Sequence, residues 1–227
     1  MPKLFTLTQR LALCAAFTDE GARFIDIGTD HGYLPIWLLK TGKINEAIAA
    51  DIGKGPLSSA KENAEKYGAK LTSILSDGFK NIDGNSFDTA AIAGMGGELI
   101  SKIISEAPFE IDSNKTLILQ PMTAAPELRE FLYSNGFTVL REEAVVDMGK
   151  VYSVMKVKKT ENPENISEIT LYMGKIEPNS KDSREYALKV IKGIENKMIG
   201  LRHSGDSENI EKSEKIIREI KDLYLND

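Results

Sequence analysis

The chain has 227 residues, of which 41% are hydrophobic and 28% charged, and its formal net charge is −5. This composition excludes a disordered or fibrous chain, and the length fits one catalytic domain of about 150 residues with a small appendage. The negative charge does not favour general binding of nucleic acid, because its field repels phosphates at long range. The single cysteine, Cys14, excludes an intramolecular disulfide, and we expect a cytoplasmic protein.

The first predicted element is an amphipathic helix close to the N-terminus. Apolar side chains recur there at helical spacing, at Leu4, Leu7, Leu11 and Cys14. The apolar run at 11–17 raises the alternative of a signal peptide, but the run is very short and Arg10 closes it off. No apolar run reaches the ~20 residues that a membrane-spanning helix needs, so we expect no association with a membrane.

From residue 23 to residue 158, short apolar segments alternate with helical patterns. Strands are predicted at Arg23–Ile27, Glu46–Ala50, Leu71–Leu75, Thr89–Ala93, Thr116–Leu119, Thr138–Val146 and Val151–Lys158. Helices are predicted at Leu34–Thr41, Pro56–Tyr67, Glu98–Glu106 and Ala125–Asn135. The alternation indicates a mostly parallel, Rossmann-like α/β sheet of seven strands. The last two strands are joined only by the turn at 147–150 and must be antiparallel, an arrangement typical of class I methyltransferases.

Strand signals stop after Lys158, and helical patterns follow. Asn162-Pro163 marks a linker, so we predict a catalytic domain of residues 1–159 and a helical domain of residues 160–227. A short helix ends at Gly174, and two longer helices are separated by residues 203–206, which place His203 in an exposed turn. The apolar residues of these two helices step by three, four or seven, which predicts a coiled-coil-like hairpin. They are Ala187, Ile191, Ile194, Met198, Leu201, Ile210, Ile217, Ile220 and Tyr224.

The loop after the first strand, residues 26–33, carries the strongest functional signal. A doubly wound sheet binds its cofactor at the carboxyl end of the first strand, and Gly28 allows the sharp turn needed there. Asp30 stands where a dinucleotide-binding motif requires glycine, and its carboxylate would repel a pyrophosphate. It would not repel S-adenosylmethionine (SAM), which carries an ammonium and a sulfonium group. The alternative is an ordinary strand-to-helix turn.

Two further acidic residues end the next two predicted strands. Asp51 can accept hydrogen bonds from both ribose hydroxyls of a nucleotide cofactor, although such a residue is more often a helix cap. Asp77 and Gly78 follow the third strand, where the aspartate can accept from an adenine amino group and Phe79 could pack against the ring. The alternative for this segment is a turn or helix-capping aspartate.

The ends of the fourth and fifth strands are candidates for the methyl-acceptor side. Three glycines in the segment 94–97 would allow a flat substrate to approach the backbone. The Asn/Asp-Pro-Pro-aromatic motif of enzymes that methylate exocyclic amines is missing, and a ring nitrogen with an in-plane lone pair would need less electronic help as an acceptor. Gln120 could hydrogen-bond a base edge, or it is simply a loop residue. No cluster of cysteine and histidine indicates a metal.

Taken together, these motifs resemble the TrmK family of bacterial tRNA (adenine-N1)-methyltransferases, which act on adenine 22. The resemblance rests on the segments 26–35, 50–51, 93–97 and 119–121 and covers essentially the whole chain. It implies SAM as cofactor, tRNA as partner, no metal, no protein partner, a monomer and a coiled-coil-like tail. Gly32 and Gly53 look like positions where variation is harmless.

The motifs and the resemblance together assign roles to individual residues. Cofactor contacts are expected from Asp26, Gly28, Thr29, Asp51, Ile52, Asp77, Gly78 and Gly94. Catalytic positions are expected at Asp30, His31, Met95, Gly96 and Gly97. Substrate contacts are expected from Arg10, Tyr33, Gln120 and Pro121.

The expected mechanism is direct attack of adenine N1 on the SAM methyl group, with catalysis mostly by positioning. Asp30 could stabilise the charge that develops on adenine, and Arg10 and lysines of the tail would contact phosphates. Tyr33 or Phe79 could stack on the flipped base, although packing is the more common role of such aromatic residues. Three rivals stay open: a SAM-dependent enzyme acting on a small molecule or protein, which the acidic charge favours; a non-catalytic nucleic-acid-binding or assembly module; and an NAD-dependent oxidoreductase, which Asp30 and the terminal hairpin disfavour.

Overall fold

The computed structural model describes residues 2–161 and 166–226, so the predicted linker at Asn162-Pro163 lies outside the described residues. Its strands are β1 Arg23–Ile27, β2 Glu46–Asp51, β3 Leu71–Leu75, β4 Thr89–Gly96, β5 Thr116–Thr123, β6 Phe137–Asp147 and β7 Lys150–Lys159. Its helices are α1 Gln9–Phe17, α2 Tyr33–Lys40, α3 Lys54–Tyr67, α4 Gly97–Ser105, α5 Ala125–Ser134, α6 Glu168–Met173, α7 Lys181–Ser204 and α8 Ser207–Tyr224. Each predicted strand is present, and β4 and β5 run further than predicted.

The strands form one seven-stranded sheet in the order β3-β2-β1-β4-β5-β7-β6. β1 pairs in parallel with both β2 and β4, whereas β7 is antiparallel to β5 and β6. The strand order reverses direction at β1, and open α/β sheets bind their ligands at such a switch point. The predicted Rossmann-like sheet with an antiparallel terminal hairpin is therefore confirmed.

The hairpin turn is shorter than the predicted segment 147–150. β6 ends at Asp147 and β7 begins at Lys150, so only two residues connect them. Met148 and Gly149 both have positive φ, +49° and +76°. Two consecutive residues of this kind are typical of the tight turn whose twist matches that of antiparallel strands. The tight turn extends both strands and brings Asp147 into the sheet.

Hydrophobic clusters cover both faces of the sheet. Ile25 and Ile27 of β1 pack on the face of α4 and α5, and Phe24 packs on the face of α1 and α2. This alternation follows from the two-residue repeat of a strand, and it places Asp26 on the same face as Phe24. Double coverage explains why the strands read as nearly continuous apolar segments.

The first helix begins later than its apolar spacing predicts. α1 starts at Gln9, so Leu4 and Leu7 lie in the non-helical segment before it. Leu7 is nevertheless buried and joins the cluster under α1 and α2. Leu7 is buried by the packing of a non-helical segment. Its apolar character therefore extended the predicted helix too far toward the N-terminus.

The C-terminal helices form a third hydrophobic cluster, which includes Ile191, Ile194 and Met198 of α7 and Ile217 and Ile220 of α8. Gly205 ends α7 in a left-handed conformation, and the Asp206 carboxylate caps α8 by accepting from the Asn209 amide at 3.2 Å. The predicted stop and cap are therefore both present. His203 is exposed as predicted but belongs to the last turn of α7. None of the described helices is long and apolar enough to cross a membrane.

Candidate active site

The carboxyl ends of β1, β2 and β3 lie side by side because these strands are parallel neighbours. The amides of Gly28 and Thr29 both donate to the Ala50 carbonyl, at 2.7 and 3.0 Å, and the Ser76 amide donates to the Asp51 carbonyl at 2.9 Å. These bonds hold three successive loops at one edge of the sheet. The predicted acidic residues Asp26, Asp51 and Asp77 thus belong to neighbouring strand ends.

Asp26 is the most buried of these carboxylates, with 7% of its surface exposed. Burial raises the pKa of Asp26 to about 6, because a carboxylate loses its hydration in the protein interior. The Thr29 hydroxyl and the positive charge of Arg10 oppose this shift, whereas the negative charge of Asp51 adds to it. The ionised form of Asp26 is consequently unfavourable in the free protein. A bound cation nearby would stabilise it.

Gly28 brings the loop between β1 and α2 against the last residues of β4. Its φ is +75°, and a Cβ atom at this position would collide with the terminal methyl of Met95. The left-handed backbone turn favours glycine here, and the absence of a side chain leaves room for the Met95 methyl. The structure thus joins a predicted cofactor residue and a predicted catalytic residue.

Asp30, His31 and Tyr33 surround the start of α2 with exposed side chains. The Asp30 carboxylate lies 3.3 Å from His31 Nε2, and the His31 ring stacks on Tyr33 at 5.5 Å between centroids. His31 has φ +59°, and its carbonyl accepts from the Asn63 amide at 3.0 Å. The Tyr33 ring also meets Phe5 edge-on at 4.9 Å. A charged and an aromatic group are therefore both open to a substrate here.

Asp51 is half-buried, and its Oδ1 accepts from the Gly53 amide at 2.6 Å. A Cβ atom at Gly53 would lie 3.1 Å from that oxygen, so variation at Gly53 is not neutral for the carboxylate. The harmless variation expected at Gly32 is wrong, because Gly32 has φ +67° and a Cβ there would lie 3.0 Å from that of Ala60. Ile52, by contrast, is 71% exposed.

Asp77 is exposed and forms an ion pair with Lys80, whose Nζ lies 2.5 Å from Oδ2. The hydrogen bond from Lys80 holds the pKa of the Asp77 carboxyl below its usual range. The expectation that Phe79 packs on a cofactor ring or on a flipped base is wrong. Its side chain is buried, stacked on Phe87 at 5.7 Å and edge-on to Phe109 at 5.6 Å, so it belongs to the core.

The three glycines where β4 ends and α4 begins do not all serve one purpose. Gly94 is exposed, has φ +79°, and donates its amide to Gln120 Oε1 at 3.1 Å. A Cβ atom on Gly97, however, would collide with the Ala124 carbonyl, and one on Gly96 would lie 3.2 Å from the Thr123 hydroxyl. At Gly97, the space predicted for a substrate is therefore occupied by the backbone of Ala124.

Gln120 is wholly buried, and its amide group is saturated by protein partners. Its Oε1 accepts from Arg10 Nη1 at 3.0 Å as well as from Gly94, and its Nε2 donates to the Pro121 carbonyl at 3.0 Å. The direct contact with a base edge expected of Gln120 is therefore wrong. Gln120 instead positions Arg10 beside Gly94 near the end of β4. Pro121 is likewise buried.

Asp147 is a site residue that the sequence interpretation missed. Its Oδ2 lies 3.5 Å from Arg10 Nε, and its Oδ1 accepts from the Gln9 amide at 3.2 Å. Arg10 is thus held between Gln120 and Asp147 with a quarter of its side chain exposed. Asp147 lies in the segment read as a turn, and only the two-residue length of the actual turn would have revealed its position in β6.

No group of three or more histidine, cysteine, aspartate or glutamate side chains that could hold a metal ion occurs in residues 2–161 and 166–226. The chemistry of the strand ends is instead that of carboxylates beside glycine turns. This set of groups, on a sheet of this strand order, defines a Rossmann-like methyltransferase. Residues 7–155 match a family model described as a methyltransferase domain.

Two named relatives specify the family. The tRNA (adenine(22)-N(1))-methyltransferase of Bacillus subtilis (strain 168) is 36% identical over 172 residues, which cover 74% of this chain and 71% of that protein. The crystal structure of the B. subtilis M1A22 tRNA methyltransferase TrmK is 26% identical, covers 98% of this chain and 100% of that one, and has a TM-score of 0.83. The chain belongs to the TrmK family.

A third relative carries a ligand. A Streptococcus pneumoniae protein solved in complex with S-adenosyl-L-methionine is 29% identical, covers 93% of this chain and 100% of that one, and has a TM-score of 0.80. The close approach of Gly28 to Met95 and the three neighbouring carboxylates suit a ligand of this chemistry, which combines a cationic end with a ribose and an adenine.

Proposed function

We propose that this chain transfers the methyl group of SAM to N1 of adenine 22 in tRNA. The observation that supports this most is the juxtaposition of the carboxylates at the ends of β1, β2 and β3 with the end of β4, where Met95 lies against Gly28. A donor held by the three carboxylates would present its methyl group toward the end of β4. The names of the relatives supply the nucleotide.

Three carboxylates would hold the donor. Asp26, which is buried, would interact with its cationic end; Asp51 would accept from its ribose hydroxyls; and Asp77 would accept from its adenine amino group. When bound, SAM supplies an electrophilic methyl group. Gly28, Thr29, Gly78 and Gly94 would form the backbone walls of this site, and Ile52 would cover it from the exposed side.

The acceptor side would be formed by the exposed residues around α2 and β4. Adenine N1 carries an in-plane lone pair, so no residue has to remove a proton before the methyl group is transferred. The product base is cationic, and the Asp30 carboxylate would stabilise the developing charge, with His31 beside it. Tyr33 would stack on the base after it leaves its helix, and Met95 and Gly96 would limit its approach.

Arg10 would contact an RNA phosphate. It is partly exposed, and its guanidinium is held by Gln120 and Asp147, which fixes its direction before substrate arrives. A fixed cation loses less side-chain entropy on binding than a free one. Gln120 is thus proposed as a positioning residue rather than as a contact to the base.

We further propose that catalysis belongs to residues 1–159 and RNA contacts beyond the target nucleotide to the helical residues 160–227. This division agrees with the match of the methyltransferase domain to residues 7–155 and with the separate hydrophobic cluster of α7 and α8. A cytoplasmic monomer remains the proposed state of the enzyme.

The decisive experiment is to incubate unmodified tRNA transcripts and SAM with the purified protein and to map the modified base by nuclease digestion and mass spectrometry. One N1-methyladenosine at position 22 is expected. A transcript with guanosine at position 22 serves as control and should stay unmodified. Methylation at another position, or of metabolites but not tRNA, would contradict the proposal.

A further inference from the structure

We propose that the groove between the β5–α5 loop and helix α7 binds an unpaired nucleotide of the RNA that adjoins the methylated adenine. This groove, called here the α7 groove, is lined by Met122, Ser153, Tyr172, Lys189, Gly193 and Lys197, among others. The proposal rests on the proposed function, since it names a second subsite for the same RNA substrate.

The α7 groove is large enough for a nucleoside and adjoins the active site. Its volume is about 380 Å³, within the range of sites that bind small ligands. Met122 lies on its wall, and the Met122 sulfur is 3.6 Å from Gln120 Nε2, the same side chain that holds Arg10 and Gly94. A nucleotide in the groove would therefore be close, along the RNA, to a nucleotide at the end of β4.

Ser153 provides the polar group that such a ligand would need. It is 1% exposed, and its hydroxyl has no hydrogen-bond partner among the residues that the structure describes. Buried polar atoms are paired in the great majority of cases, and an exception calls for an explanation. A hydroxyl at the wall of a cavity, without a protein partner, is suited to a polar edge of a base or a ribose hydroxyl.

The other lining residues match a nucleotide in charge and shape. Tyr172 can offer a ring to a base, and stacking on aromatic side chains is how proteins hold unpaired bases. The lining contains two lysines, Lys189 and Lys197, and one carboxylate, Glu127, so its formal charge is positive although the whole chain is acidic. Lys189 is anchored by donating to the Val151 carbonyl at 2.8 Å, and burial lowers its pKa, so a phosphate would stabilise its charge.

Gly193 keeps the α7 groove open. It lies inside α7, where glycine destabilises a helix relative to residues with side chains, and a Cβ atom there would meet nothing within 4 Å. The chain thus carries an unfavourable helix residue at the wall of the cavity. Gly200 lies two turns further along the same helix, is also exposed, and also has open space, but it does not line the groove.

These two glycines allow a matched test. Gly193→Leu fills the groove with a good helix former, and Gly200→Leu makes the same change outside it. For Gly193→Leu we expect a KM for tRNA that rises about fivefold or more, the scale of one lost base stack. Its kcat at saturating tRNA and its affinity for SAM should be retained. Its melting temperature should be retained or raised. Gly200→Leu should resemble wild type in every measurement.

A second variant and a crosslinking experiment keep the proposal testable if Gly193→Leu disturbs the helix. Ser153→Ala removes only an unpartnered hydroxyl, so the melting temperature should not fall while tRNA binding weakens. Photoreactive 4-thiouridine placed on either side of adenine 22 should crosslink to the groove. Crosslinking from position 22 itself would assign the groove to the target base and overturn the proposal.

The failure of this proposal can be told from the failure of the proposed function. If wild type methylates adenine 22 and the two leucine variants have equal KM values for tRNA, the α7 groove has no role and the proposed function stands. If wild type does not methylate tRNA, both are overturned.

Discussion

Two ion pairs of nearly equal length occupy opposite environments in this protein. Lys80 Nζ lies 2.5 Å from Asp77 at the cofactor edge, with about half of each side chain exposed. Arg129 Nη2 lies 2.6 Å from Glu142 beneath the C-terminal helices, with both side chains 0% exposed. Water screens the first pair and not the second. The exposed pair at the candidate active site is therefore free to exchange partners, whereas the buried pair is fixed where the C-terminal helices attach to the sheet.

The buried pair belongs to a larger cluster that joins four elements. Arg129 comes from α5 and Glu142 from β6. The guanidinium also donates to the carbonyls of Leu171 and Tyr172 at 2.7 and 3.0 Å and to the Tyr186 hydroxyl at 2.9 Å. Burial disfavours its charge, but Glu142 and Tyr186 keep the pKa of Arg129 above its ordinary value. The cluster therefore fixes α6 and α7 relative to the sheet.

Removing one member of the buried pair should give the largest effect. Arg129→Met leaves the Glu142 carboxylate buried without its partner, which costs about 3–5 kcal/mol of unfolding free energy. The double variant Arg129→Met/Glu142→Leu should recover part of that loss, because no uncompensated charge remains. Urea unfolding measures both values.

Arg141→Met is the matched control for this prediction, since Arg141 pairs with Glu143 on the same strand but is 55% exposed. Arg141→Met should lower the free energy of unfolding by less than about 1 kcal/mol. Equal losses for Arg129→Met and Arg141→Met would show that burial does not distinguish these pairs.

The next largest effect concerns Asp26, a functional carboxylate that destabilises the free protein. Its pKa of about 6 lies above the ordinary 3.8, so the folded state binds this proton more tightly than the unfolded chain does. The penalty is absent below about pH 4, where the carboxyl is protonated folded or unfolded, and is complete above about pH 6. Asp26→Asn should therefore be more stable than wild type above pH 6, by up to about 3 kcal/mol.

Urea unfolding of wild type and Asp26→Asn between pH 4 and pH 7.5 measures this difference. The gain should disappear toward pH 4, and SAM affinity of the variant should fall at pH 7.5. A stability difference that does not change with pH would rule out titration of Asp26 as its source.

The two regions also differ in what could be predicted from sequence. The bounds of β1 and β3 and the acidic loops after β1, β2 and β3 followed from local apolar runs and the residues next to them. The Arg129 cluster could not be found in this way, because its partners lie as far as 57 residues apart along the chain. Nothing in the local pattern separates a buried arginine of α5 from a solvated one.

The same limit explains the errors within the site. Phe79 follows an acidic turn in sequence, but the core formed with Phe87 and Phe109 takes up its ring. The local pattern places Gln120 after the fifth strand, but it lies within β5, and its partner Arg10 is 110 residues away. Sequence position predicted which loops meet at the edge of the sheet. Which side chains face the cleft depended on packing between distant segments.

A third effect, on catalysis rather than stability, is expected at Asp30. Its carboxylate is exposed beside His31, so Asp30→Ala should leave the melting temperature and SAM affinity unchanged. The rate of methyl transfer at saturating substrates should fall roughly ten- to a hundredfold, because the positive charge on adenine loses its counter-charge. Single-turnover kinetics measure that rate. Full activity of Asp30→Ala would remove this residue from the mechanism.

The smallest effect should come from breaking the exposed pair. Lys80→Met removes the cation that holds the pKa of Asp77 down, but the Asp77 carboxylate is still charged at neutral pH. Since Lys80 and the cofactor would compete for this carboxylate, SAM affinity measured by calorimetry should change by less than about threefold. Asp77→Ala removes the acceptor itself and should weaken binding about tenfold. If Lys80→Met weakened SAM binding as much as Asp77→Ala, the ion pair, and not the carboxylate alone, would form the adenine site. The exposed pair would then be as necessary for binding as the buried pair is for stability.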